Sequence, residues 1–168
     1  MKASVPPTRT HGGPPAAFLL AQVGAHAAAR FAERLAVLEL TPPDAGILRM
    51  LGGTPAVTQQ ALAAALRMQP SRLVALVDAL EAKDLVERRA NPEDRRSHAL
   101  YLTPKGRAML ESVGRIGQQH QQALLASLAE DEQRQLAGLL RRIAEEQGLA
   151  PGVHPGYARM RTSEVKKD

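Results

Sequence analysis

The sequence predicts a mostly α fold of the α+β class, with one small β-hairpin near its centre. Two observations carry this. Apolar residues make up 44% of the 168-residue chain but aromatics only 2%. The core must therefore come from Leu, Ala, Val and Ile, and Ala and Leu are strong helix formers. Apolar positions recur at three- and four-residue steps almost throughout. Only around 85–102 does the pattern change to two short alternating segments about a turn.

The first helix is expected from Pro15 to Glu39, with Leu20, Val23, Ala27, Phe31, Leu35 and Leu38 along one face. Thr41-Pro42-Pro43-Asp44 starts a second helix: a capping hydroxyl, prolines suited to the first turn and an acid at the positive helix end. Ile47, Leu48 and Leu51 form its apolar side and Gly52-Gly53 stops it. Pro55-Ala56-Val57 is no more than a strand stub. Thr58 caps a short third helix with Ala61, Leu62, Ala65 and Leu66 inward. Gln69-Pro70-Ser71 turns into a fourth, which carries Leu73, Leu76, Val77 and Leu80 on one face. Leu85 to Ala90 reads as a strand, Asn91 to Arg96 as a turn and Ser97 to Leu102 as the returning strand, with Leu100 and Leu102 on one face. Thr103-Pro104 repeats the cap-plus-proline start and opens a long helix to about Ser127. A last helix, Glu130 to Gln147, carries Leu136, Leu139, Leu140 and Ile143 on one side.

The length fits one domain. Residues 1–14 and 148–168, rich in Pro and Gly, read as a flexible arm and a flexible basic tail around a compact 15–147. A net charge of +5 favours a polyanionic partner. The absence of cysteine excludes disulfides and thiol chemistry and fits a cytoplasmic protein. No apolar run is long enough for a membrane span, so no membrane partner is expected.

Two short helices joined by a tight turn and followed by a β-hairpin describe a winged helix-turn-helix, with its core at about 41–103. The fourth helix is then the recognition helix. Gln69, Pro70, Ser71, Arg72, Val74 and Ala75 are its outward N-terminal residues, placed to reach base edges in a major groove. Arg72 can donate twice to guanine or form an ion pair with Asp78, and Gln69 can pair with adenine. Gln69 and Ser71 could also serve only as helix-start caps. On the hairpin, Arg95 and Arg96 suit a minor groove, and Asp94 can orient an arginine beside it. Arg88 and Arg89, with Lys83, Lys105 and Arg107, suit phosphates.

These residues resemble the multiple antibiotic resistance regulator (MarR) family. Its wing signature matches Leu80-Glu81, Leu85-Val86-Glu87-Arg88, Asp94-Arg95-Arg96-Ser97, and Leu102-Thr103 with Gly106. Two departures are Asp84, where the family usually has Gly, and Ala129, where a capping Ser or Thr is common. The resemblance implies a homodimeric repressor on double-stranded DNA with a pseudopalindromic operator. The helices at about 15–39 and 104–147 would be its additional dimerisation elements. It also implies a small-molecule effector, often phenolic or lipophilic, and makes Arg96 the minor-groove arginine with Asp94 as its partner. The alternative is a winged-helix dimer that acts as a protein-interaction module or a regulator without a ligand.

Phe18, His26, Arg30, Met50 and Met109 are candidates for the ligand pocket, although each also suits core, solvent or a dimer contact. His120 and its neighbouring glutamines form a polar patch. The histidines at 11, 26, 98, 120 and 154 lack ligand spacing, so no metal or other cofactor is expected. No catalytic constellation stands out, and the chain is not expected to be an enzyme.

Overall fold

The computed structural model describes residues 13–91 and 98–158. The elements follow the expected order: α1 (Ala16–Ala36), α2 (Pro42–Gly53), β1 (Val57–Thr58), α3 (Gln59–Ala65), α4 (Pro70–Ala82), β2 (Val86–Ala90), β3 (His98–Leu102), α5 (Pro104–Leu124), α6 (Glu130–Glu146) and a short 3-10 turn (Pro155–Ala158). β3 lies between β1 and β2, antiparallel to both. Val57 faces Leu100, and Val86 faces Leu102.

Helix starts follow the capping residues. Thr41 and Asp44 cap each other's backbone reciprocally, with Thr41 N–H donating to the Asp44 carboxylate at 2.8 Å. This accounts for an acid that is only 7% exposed. Thr58 Oγ1 accepts from Ala61 N–H at 3.2 Å. Thr103 Oγ1 accepts from Gly106 N–H at 2.9 Å and donates to the Asp84 carbonyl at 2.7 Å. One hydroxyl thus joins the end of α4 to the start of α5. Gly106 is required there, because a Cβ would lie 1.9 Å from the Leu85 carbonyl oxygen. Ala129 offers α6 no side-chain acceptor, and only Glu132 reaches back, accepting from Ala129 N–H at 2.8 Å.

Helix ends share one device. At α1, α3 and α4 the chain turns through a left-handed residue, at Glu39 (φ 55°), Arg67 (φ 52°) and Asp84 (φ 58°). The following N–H then reaches back five residues: Leu40 to Leu35, Met68 to Ala63 and Leu85 to Leu80. This turn ends α1 at Ala36, earlier than the expected Glu39. α5 stops at Leu124, short of Ser127.

The core is aliphatic. Leu35, Ile47, Leu48, Leu62, Leu66, Leu73, Val77, Leu80, Leu85, Val86 and Leu100 are essentially sealed from solvent. The predicted face of α1 is buried only towards its C-terminal end. Leu35 is covered and Phe31 and Leu38 pack at the margin, whereas Leu20 and Val23 are exposed. α6 buries none of its residues, and its apolar side, with Leu139, Leu140 and Ile143, faces outward.

The segment after α6 differs from the expected flexible tail as far as residue 158. Tyr157 is 7% exposed and belongs to the core cluster, and Val153 packs against it. The Arg49 guanidinium bonds the Gly152 carbonyl. Here Pro and Gly shape a tight path and one aromatic residue anchors it.

Candidate nucleic-acid interface

α4 separates its two faces cleanly. Leu73, Leu76, Val77 and Leu80 are buried, while Gln69, Pro70, Ser71, Val74 and Ala75 are exposed and Arg72 is half-buried. Gln69 stands at the N-cap but makes no side-chain cap bond, and Pro70 occupies the first turn, where no N–H is needed. The exposed residues leave this face of the helix open, and the buried leucines fix its rotation.

The hairpin arginines divide by position. Arg88 forms ion pairs with Asp78 (2.5 Å) and Glu81, and its N–H donates to Glu81 Oε1 at 3.3 Å. It therefore bolts β2 to α4. Arg89 lies over the Tyr101 ring at 4.8 Å and pairs with Glu87 at 2.5 Å. Its side chain remains 56% exposed, so its charge is offered to solvent. Asp94, Arg95 and Arg96 lie outside the described residues. Lys83 Nζ donates to the Glu39 carbonyl at 2.5 Å and Lys105 Nζ to the Lys83 carbonyl at 2.8 Å. Both lysines satisfy helix-end carbonyls at the base of the hairpin.

Of the ligand-pocket candidates, the structure brings together His26 and Arg30. With Arg34, His120, Ala123 and Leu124 they line a cavity of about 200 Å³ between α1 and α5. Phe18 is exposed, and Met50 and Met109 pack at the margin of the core. Arg34 was not among the sequence candidates; its one-turn spacing from Arg30 on α1 could have suggested it. His120 lies against Phe31, ring centroids 5.4 Å apart. Partial burial, then the charges of Arg34 and Arg30 and the nearby His26, hold its imidazole below the usual histidine range. The buried Nε of Arg34 meets no acceptor among the described residues. Arg30 pairs with Glu33 on the exposed side. A second cavity, of about 410 Å³, lies between α2, β3 and α5 and is lined by Leu51, Tyr101, Arg107 and Leu110 among others.

A model of the MarR family matches residues 38–97, from the end of α1 to the wing. A protein of Thauera aromatica, named as a transcriptional regulatory protein for the hcr operon, is 32% identical over 123 residues, covering 73% of this chain and 74% of its own. The chain belongs to the MarR family. Its fold matches that of wild-type MarR from Escherichia coli with a TM-score of 0.70 at 28% identity, over 79% of this chain and 98% of that one. It also matches the transcriptional repressor CouR bound to a 23-mer DNA duplex, with a TM-score of 0.69 at 32% identity, over 77% of this chain and 92% of that one. As a MarR-family winged-helix protein, the chain is a DNA-binding transcriptional regulator.

Proposed function

We propose that this protein is a homodimeric, cytoplasmic repressor that grips a pseudopalindromic operator and lets go when a small organic anion enters the cleft between α1 and α5. The observation that carries the DNA reading is the outward face of α4. Gln69, Ser71, Arg72, Val74 and Ala75 stand on a helix whose opposite face is locked into the core. Arg89 and, from the sequence, Arg95 and Arg96 supply the wing's positive charge. Arg88 acts by positioning, since it holds the wing against the recognition helix. The exposed apolar sides of α1 and α6 fit a second copy, which would set two recognition helices about one helical turn of DNA apart.

Cationic side chains without a buried counter-charge among the described residues support an anionic effector. Arg30, Arg34, His26 and His120 converge on one cleft, and Ala123 and Leu124 add an apolar wall. A bound anion would favour protonated His120, so uptake strengthens as pH falls below the ordinary histidine range towards the lowered range in which this imidazole takes up its proton.

Selection from a pool of random duplexes tests the DNA reading. The expected product is an inverted repeat bound by two subunits, with affinity falling steeply as salt rises. Recovery of no preferred sequence would reject it. For the effector, histidine-selective NMR with benzoate should raise the His120 midpoint, while the neutral isostere benzyl alcohol should not. Equal responses would remove the anion site.

A further inference from the structure

We propose that residues 148–158 form a clamp, with Tyr157 as the positioning residue that closes it, and that this clamp sets where the recognition helix stands relative to α6. Among the strap's contacts with the DNA-reading half of the molecule, three fix its path. The Tyr157 ring sits in a slot on α2 made by Gly46, where a Cβ would lie 2.7 Å from Tyr157 Cε2. The Arg49 guanidinium holds the Gly152 carbonyl one turn further along α2. Arg67 reaches the Gly148 carbonyl at 3.4 Å.

The third contact gives the strap its consequence. Arg67 is the left-handed residue of the turn between α3 and α4, two positions before Gln69. The strap therefore grips the chain where the recognition helix begins. Its other end is continuous with α6, which stops at Glu146. So little chain leaves little slack, and a shift of α6 must be carried to α2 and the turn or break the clamp.

Gly46 makes the slot a built feature. Glycine in a helix interior is unfavourable relative to alanine, yet α2 carries one where the ring enters. His154 steadies the ring from within the strap: its own ring lies 5.7 Å from that of Tyr157, and its Nδ1 accepts from Gly156 N–H at 3.0 Å.

The test uses the full chain with Tyr157→Ala, Tyr157→Phe, Gly46→Ala and the Gly46→Ala/Tyr157→Ala pair. In the native background Gly46→Ala should lower Tm, because the new Cβ collides with the ring. In the Tyr157→Ala background the same change should raise Tm by about 2–4 °C, because the slot is empty and alanine is the better helix former. A rise in both backgrounds would mean that the ring is not docked, and would overturn the proposal.

The second arm rests on the proposed DNA reading and uses a duplex selected by the native protein. Tyr157→Ala should weaken binding to that duplex about tenfold and leave binding to a scrambled duplex at the same salt unchanged. Tyr157→Phe should restore the native ratio. Unchanged affinity, or equal loss on both duplexes, would reduce the strap to a stabilising patch. A native protein that selects no duplex would reject the DNA reading itself, a failure visible before any variant is made.

Discussion

The stretch from α2 to β3 and the pair α1 and α6 are built on opposite terms. The first closes its own core: Ile47, Leu48, Leu62, Leu73 and Leu100 are wholly buried within one chain. The second is amphipathic but uncovered, with Phe18, Leu20 and Val23 on α1 and Leu139 and Ile143 on α6 exposed. A helix gains most of its stability in water from packing an apolar face. The α2–β3 unit is therefore shaped by its own side chains, whereas α6 acquires a packed face only against something else, by our reading a second copy. By our reading, the recognition surface sits on the self-contained part and the means of moving it on the conditional part.

Cutting into the closed core should have the largest effect. Leu48→Ala is expected to cost about 2–5 kcal/mol, read as a lowered midpoint in urea. A loss no greater than for an exposed leucine would mean that the core is not where the structure puts it. On the open side, Ile143→Asp should cost association at least about 2 kcal/mol, as a central interface anchor does, and leave the α2–β3 unit folded. Sedimentation should show monomers while amide protection in α4 persists. Collapse of both together would erase the contrast.

The wing gives a smaller effect, on binding alone. Arg96→Ala is expected to weaken the selected duplex by about 1–3 kcal/mol without changing Tm, which a gel-shift titration at fixed salt would detect. The smallest change is a gain. Asp84 holds φ 58° at the end of α4, and Asp84→Gly should stabilise the fold by about 0.5–1 kcal/mol. A loss in thermal unfolding would show that the carboxylate has a role beyond the turn.

Much of this architecture could be read from residues acting on their neighbours. Thr41, Thr58 and Thr103 announced their helices because a capping hydroxyl, joined at Thr41 and Thr103 by a first-turn proline, acts within four residues. The leucine face of α4 followed from spacing alone, and so did the exposure of Gln69, Pro70, Ser71, Val74 and Ala75. What escaped depended on partners distant in sequence. Glu39 ends α1 through a left-handed turn that no pattern at that residue advertises. Arg88 looked like a phosphate ligand because its acids, Asp78 and Glu81, lie on another element. The cleft partners Arg34 and His120 meet only when α1 packs on α5. The segment after α6 looked like a tail because Pro and Gly mark both disorder and tight turns, and the slot for Tyr157 lies more than a hundred residues upstream.

The fit of Tyr157 against Gly46 makes the two positions interdependent. A Cβ at 46 would lie 2.7 Å from the ring, so an alanine there and the seated tyrosine compete for one space. Glycine without the ring leaves a weaker helix with nothing in return. A change at either position therefore alters what the other can tolerate.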